Sequence, residues 1–559
     1  MICLRPIRLR RLPALSLCCL PLFAGNSASA AEQLAADVCV YGATPAGIVA
    51  AVTAKQEGAS VVLIEPTRFV GGILGAGIKP LQDCPEPRSV GGLTRERIFK
   101  LGNSPPEIRS SFAAWLKEAE LRPVFEHRVS RVEKDGTRIV RLHLEYAPPD
   151  ERGIPAAAAT PGREIVVAAK MFIDASYEGD LMAAAKVRYA TGREPRAKFG
   201  EEPAGVGPPT NWRPIDPYVE RGNPKSGLLP LLDADHGKAR GEGDDYTQAY
   251  NFRFYVTDDP ARRAPIEKPA NYDPRQYELV GRYVDYILSW AGGDLKKAEP
   301  RLASIFPGWR NSGEYNYQRN ALVTIAPLGR SRFYQDGDWK TRSAVWREHV
   351  DYLAGLHYFL STDERVPSEF RAQTAALGLD QTMHPDTHGW PHQLYVRISR
   401  RMDGRYTTTH ADVLNKTAPD DAVGLALYGV DTYPVRRYAT VDPDGSGRMG
   451  VATEGNMFIG GARGTGKPYP IAYRAITPKA EECTNLLVPV CFSATYIAYA
   501  SARMEPVFCV LGESAAVAAV QALAEAKSVQ EIDPTRFRER LLERGQVLEW
   551  KEENGAQRN

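Results

Sequence analysis

Six residues, Gly42-Ala43-Thr44-Pro45-Ala46-Gly47, follow the apolar run Asp37-Val38-Cys39-Val40-Tyr41, and Glu65 follows a second apolar run, Ser60-Val61-Val62-Leu63-Ile64. Strand, glycine turn, helix, strand, acid is the layout of a βαβ unit that holds a dinucleotide. Gly42 permits the tight turn and Gly47 permits close contact between helix and strand. The helix N-terminus at Pro45-Ala46 offers unpaired N–H groups to a pyrophosphate. Glu65 can accept bonds from a ribose diol and would repel a 2′-phosphate. Thr44 stands where a middle glycine usually lets the backbone approach the pyrophosphate, so an ordinary glycine-rich turn is the competing reading.

A second group could carry acid–base chemistry. His384, His388 and His392 recur every fourth residue, a spacing that would form a metal face on a helix. Pro385, Gly389 and Pro391 argue against a helix there, so a loop is expected and no metal site. In that loop His392 can act as a general base, with Arg397, Arg400 and Arg401 as nearby cations. An arginine-rich face making structural ion pairs is the alternative. Gly461-Ala462-Arg463-Gly464-Thr465-Gly466-Lys467 matches the G-x-x-x-x-G-K phosphate loop, but Pro468 replaces the Ser or Thr that would hold Mg²⁺. It reads as a surface loop.

The elements that must position these residues are legible in outline. Ile48 to Glu57 reads as a helix of small and apolar residues stopped by Gly58. Gly71-Gly72, with Gly75 and Gly77, makes a second flexible loop. Phe125 to Glu145 reads as a β-hairpin around Lys134-Asp135-Gly136-Thr137. Glu164 to Ile173 reads as a buried strand running into Asp174–Asp180. Residues 195–245 show no period and read as a long loop. Residues 250–450 are mixed and aromatic, with Trp309, Trp339, Trp346 and Trp390. Asn485 to Val490 reads as another buried strand, followed by an alanine-rich helix from Pro506 to Ala524 and a charged, helical tail. The expected architecture is α/β: a Rossmann-type domain assembled from residues 31–194 and 471–525, with a large α+β substrate domain, 195–470, inserted between them, and a tail over 526–559.

Arg5, Arg8, Arg10 and Arg11, the apolar stretch Leu12–Ala24 and the Ala28-Ser29-Ala30 pattern read as an export signal over residues 1–30. A periplasmic or secreted location is therefore expected, by either a Sec or a twin-arginine route. Those residues carry four arginines and no acid, which takes the formal charge from +2 to −2 and argues against a nucleic-acid partner. No later apolar run is uninterrupted over a membrane-spanning length, so no stable membrane span is expected once the signal is removed. Cys39, Cys84, Cys483, Cys491 and Cys509 remain beyond it and contain no C-x-x-C, so neither an iron–sulfur cluster nor structural zinc is expected.

The stretch Asp37–Gly77 resembles the N-terminal segment of the FAD-dependent oxidoreductases related to the flavin part of heterodisulfide reductase. The resemblance continues through Phe172–Asp180, Tyr473–Lys479, Asn485–Thr495 and Ser501-Ala502-Arg503-Met504-Glu505-Pro506. Secreted bacterial members also share Trp390-Pro391-His392-Gln393-Leu394-Tyr395-Val396-Arg397. The cluster cysteines of the larger relatives are absent. What the resemblance implies is FAD held at Gly42, Thr44, Pro45, Ala46, Gly47, Glu65, Gly71, Gly72, Val129, Ala175, Asp180 and Arg503. The helix beginning near Pro506 would aim its positive end at the flavin's pyrimidine edge, where charge appears on reduction. Arg503 would add to this or form a salt bridge beside the helix start.

The expected function is an exported FAD-dependent oxidoreductase whose flavin accepts a hydride from a polar small molecule or carbohydrate-type substrate, with His392, Arg397 and Arg401 catalytic. Its electron acceptor is not named by the sequence. Two alternatives stand beside it: a flavin-dependent reductase of a double bond or disulfide, and a non-catalytic glycan-binding protein with a degenerate cofactor fold.

Overall fold

The computed structural model describes residues 31–306, 313–316 and 318–551. The expected signal segment, Trp309 and the last residues of the expected tail lie outside the described residues.

The chain opens with β1 (Glu32–Tyr41), α1 (Pro45–Gln56) and β2 (Val61–Glu65). After α2 (Pro105–Glu118) come β3 (Val124–Phe125), β4 (His127–Asp135), β5 (Arg138–Tyr146) and β6 (Ile165–Asp174). These strands form one sheet in the order β3-β2-β1-β6-β5-β4. The β3, β2, β1 and β6 contacts are parallel, and β4–β5 is an antiparallel hairpin turning at Gly136. Tyr41 lies opposite both Ile64 and Asp174. That register brings Gly42, Glu65 and Ala175 out of the sheet at one level, at the carboxyl ends of parallel strands where α/β sheets bind ligands.

The C-terminal part of the chain completes this sheet. β7 (Leu486–Leu487) pairs in parallel with Phe172–Ile173 of β6. Asn485 anchors it: its side chain donates to Ile139 O and Lys170 O, both at 2.9 Å, and accepts from Ile139 N at 2.9 Å. The strand is shorter than the apolar run Asn485–Val490, because Pro489 cannot continue a ladder.

α5 (Tyr496–Ala502) and α6 (Glu505–Glu525) follow. α1 and α6 are apolar on nearly every side, as buried helices must be. They pack closely because small residues face each other; a Cβ on Gly512 would lie 2.4 Å from Ala46 O. By length and composition α6 alone among the described helices could cross a membrane, and most of it is buried inside the protein. The charged tail is docked: α7 (Pro534–Glu543) buries Phe537 and Leu541, and Arg540 and Arg544 each bind Glu57 at 2.8 Å.

The middle of the chain carries α3 (Glu278–Ala291), the long α4 (Trp339–Thr362) and small antiparallel sheets. Residues 195–245, expected as an unstructured loop, contain the strand Pro209–Arg213, which pairs with Met449–Glu454. Its partner lies more than two hundred residues away, so local periodicity could not reveal it. The phosphate-loop look-alike forms a 3₁₀ turn, Gly461–Arg463, on the surface.

Candidate cofactor and active site

The first turn after β1 explains Thr44. Its side chain caps α1, accepting from Gly47 N at 3.2 Å, and its hydroxyl donates to Ala175 O at 2.8 Å. Thr44 thus ties the α1 N-terminus to the end of β6, and Pro45 occupies the first helical position, where its missing N–H costs nothing. Gly42 has φ +97°, and a Cβ there would meet Ser176 N at 3.0 Å. Gly47 is more constrained: a Cβ would lie 1.8 Å from Gly42 O. Ala46 is buried beneath this turn.

Glu65 is bound to the same turn. It accepts from Ala43 N at 2.7 Å and from the backbone N and hydroxyl of Thr67 at 2.8 and 2.7 Å. Burial pushes its carboxyl above the ordinary range, and these three donors oppose that shift. Gly71 donates its N–H to Ala43 O, and a Cβ on it would strike the Phe112 ring of α2 at 2.5 Å. A Cβ on Gly72 would lie 2.5 Å from the Tyr177 hydroxyl.

Gly42, Thr44, Glu65, Gly72, Tyr177 and His392 wall one cavity at these strand ends, together with Phe69, Arg128, Glu178, Asp180, Trp339 and Trp346. Asp180 binds Arg342 at 2.8 Å and Arg400 at 2.9 Å. Burial would push its carboxyl up, but those two guanidiniums hold it below the usual range, while burial and the Asp180 charge push Glu178 up. Val129 is buried, and its N–H donates to the Tyr41 hydroxyl at 3.2 Å; its neighbour Arg128 lines the cavity, over the Trp339 ring at 4.5 Å.

His392 is 2 % exposed and stacks on Phe69, with ring centroids 4.4 Å apart. The three-histidine repeat is split by the loop: His384 lies edge-on to His392 at 5.8 Å, while His388 is exposed. Burial, then the Arg109 charge, push the His392 pKa well below its ordinary value, against a hydrogen bond to the Gly72 backbone. The imidazole is therefore neutral at pH 7, and its Nε2 has no hydrogen-bond partner among the described residues. Among the described residues no cluster of three or more His, Cys, Asp or Glu could hold a metal ion.

The arginines expected around His392 go elsewhere, because no helix or regular strand puts 392, 397 and 401 on one side. Arg401 is fully buried, bound to Glu194 at 2.6 Å and to the carbonyls of Gly192 and Ala494. It is a structural ion pair, which corrects the expectation of a catalytic role. Arg397 does not line the His392 cavity; it packs between Tyr395 and Tyr433. Arg503, between α5 and α6, bonds Tyr395 OH and Asp431 O, each at 3.1 Å.

Sequence reasoning missed Glu505 and Tyr177 as a unit. The Tyr177 hydroxyl accepts from Ile73 N at 3.1 Å and donates to Glu505 at 2.9 Å, joining the Gly72 loop to the first turn of α6. The second Glu505 oxygen has no partner among the described residues. Both residues fall in family-like motifs, but nothing local says that they meet. Trp339, Arg342 and Trp346 were missed as well, since α4 reaches the cavity only through tertiary packing.

The residues present fit a dinucleotide cofactor. Glycines whose Cβ would clash border the α1 N-terminus, an acid ends β2, and His392 Nε2 and a Glu505 oxygen are left unpaired in buried surroundings. The family model for FAD dependent oxidoreductases matches residues 37–541. The chain belongs to this family. It has a Rossmann-type FAD-binding fold, and FAD is its cofactor.

No curated protein matches the chain. Among solved structures it is similar to a geranylgeranyl bacteriochlorophyll reductase-like protein from Thermoplasma acidophilum, at 20 % identity over 28 % of this chain and 43 % of that one, with a TM-score of 0.19. L-proline dehydrogenase from P. horikoshii matches at 18 % identity over 30 % and 26 %, with a TM-score of 0.18. The myxobacterial chondrochloren halogenase, a variant of FAD-dependent halogenases, matches at 19 % identity over 29 % and 41 %, with a TM-score of 0.20. The chain spans less than half the length of each.

Proposed function

We propose that this FAD-dependent oxidoreductase is exported to the periplasm or beyond and oxidises a polar, carbohydrate-type alcohol, passing the electrons to a separate acceptor. The observation that carries the reading is His392: a buried, neutral imidazole with a free Nε2, set against the Gly72–Gly75 backbone beside the cofactor cradle. FAD, when bound, supplies the two-electron acceptor for a hydride leaving carbon. His392 takes the proton of the substrate hydroxyl at Nε2, and Phe69 holds the ring in place. Burial first, and then the charge of Arg109, which is bound to Gly75 O at 2.9 Å and in contact with His384 Nδ1 at 3.3 Å, keep the imidazole neutral.

For the cofactor, we assign the pyrophosphate to the turn Gly42-Ala43-Thr44-Pro45-Ala46-Gly47 and the α1 N-terminus, with Gly71 and Gly72 alongside. Glu65 receives the adenosine ribose, and Ala175 and Asp180 border the same site. The signal-like residues 1–30 support export, and the order of the motifs along the chain supports a relation to the flavin part of heterodisulfide reductase.

The test is the absorption spectrum of the purified protein, followed by anaerobic titration with a panel of sugars. A yellow protein bleached by one of them is expected. His392→Ala should slow bleaching by roughly two to four orders of magnitude. A colourless protein, or an unchanged rate in the variant, refutes the corresponding part of the reading.

A further inference from the structure

Beyond Arg503 lies a second group of buried polar side chains that the cofactor cradle does not use. Arg397 is 2 % exposed. Its guanidinium lies 4.3 Å from the Tyr395 ring centroid and 4.0 Å from that of Tyr433, which fixes its plane. It donates to Ala249 O and, at 3.3 Å, to Asn316 Oδ1, and its Nε has no partner among the described residues. Among the described residues it has no carboxylate within ion-pair distance. The neighbouring cations do: Arg253 pairs with Glu314, and Arg319 pairs with Asp431 at 2.6 Å, with Arg503 3.8 Å from the same Asp431. Burial pushes the Asp83 carboxyl up, and the charges of Arg503, Arg253 and Arg397 are close enough to oppose that push. Four guanidiniums thus face three carboxylates, one positive charge in excess. A buried cation without a counter-charge is costly, and an anionic ligand relieves that cost.

This group borders solvent through Arg253, Glu314 and Asn316, while Arg397 and Arg503 themselves are buried behind them. Asn316, the acceptor for Arg397, lines an open cleft of about 670 Å³ together with Gln82, Arg253 and Glu314. Arg503 bonds Tyr395 and stands two residues before Glu505, which meets Tyr177 in the wall of the cofactor cavity. Arg503 and Glu505 thus connect Tyr395, through the start of α6, to Tyr177 in the wall of the cofactor cavity.

We propose that the substrate bears a carboxylate and that Arg397, with Arg503, receives it, which narrows the substrate to hydroxylated organic acids such as uronic or aldonic acids. Asp83 then accepts from the substrate's hydroxyls. The proposal rests on the oxidoreductase reading above and adds the charge of the substrate to it.

The test uses the FAD-loaded protein, titrated anaerobically with D-glucuronate and D-gluconate and with the neutral D-glucose and D-glucuronamide. Binding is read by perturbation of the flavin band and by melting temperature. The acids are expected to bind saturably and at least about tenfold more tightly than the neutral compounds. Arg397→Gln should weaken acid binding about ten- to a hundredfold and abolish the preference, with FAD content unchanged. Arg397→Lys, which keeps the charge and loses the fork, should keep the preference with weaker binding and serves if the glutamine variant does not fold. Equal binding of neutral and acidic compounds, no binding of either acid, or unchanged acid binding in Arg397→Gln overturns the proposal. A protein that takes up no FAD counts against the oxidoreductase reading instead, and the melting-temperature titration still decides the carboxylate.

Discussion

Glu505 offers a sharp test of the buried polar junction at the start of α6. Its carboxyl is buried, accepts one hydrogen bond from Tyr177 at 2.9 Å and leaves its other oxygen unpaired. Burial pushes its pKa from 4.5 up to about 8, with the Tyr177 bond opposing. A carboxyl whose folded pKa is raised contributes stability that is fully present below the unfolded value and lost as pH rises through the folded one. Between pH 4.5 and pH 8 the folded protein holds a proton that the unfolded chain has released, at about 1.4 kcal/mol per pH unit. The loss across that window is on the order of 5 kcal/mol. Glu505→Gln keeps an acceptor for Tyr177 and removes the titration. At about 2 cal/mol/K per residue the 559-residue chain unfolds with about 1 kcal/mol/K of entropy, so the full loss corresponds to roughly 4–5 °C. Melting curves of wild type and Glu505→Gln, at equal saturating FAD, should therefore nearly coincide in relative position at pH 5 and diverge by several degrees in favour of the variant at pH 8. A difference between the two proteins that is the same at pH 5 and pH 8 refutes the buried, protonated Glu505.

Two further substitutions probe the cradle and the corrected arginine. Gly47→Ala places a Cβ against the Gly42 carbonyl, which only a backbone shift can relieve, so FAD content measured after gel filtration should fall sharply. A normal FAD content in Gly47→Ala would show that the turn is looser than its geometry. Arg401→Met leaves Glu194 buried without its cation and should cost about 3–5 kcal/mol of stability. Its rate per folded, flavin-loaded molecule should be unchanged; a loss of rate with intact stability would return Arg401 to the active site.

The cofactor half of the protein was readable because its signals are local. The glycine turn, the apolar strands on either side of it and Glu65 lie within about thirty residues of each other, and apolar runs of that kind read as buried parallel strands. Thr44 was readable as an irregularity but not as a cap, because its partner Ala175 lies on another strand. The strand Pro209–Arg213 left no period at all, since its pairing is with a distant segment.

The amino-acid sequence by itself determined the dinucleotide unit and the irregular loop that carries His392, since each rests on residue types at short spacing. Tertiary structure decided which arginine goes where: Arg397 between Tyr395 and Tyr433, Arg400 to Asp180 and Arg401 to Glu194. In an irregular stretch, sequence spacing does not set the side a residue faces, and a guanidinium's role depends on whether folding brings it a carboxylate.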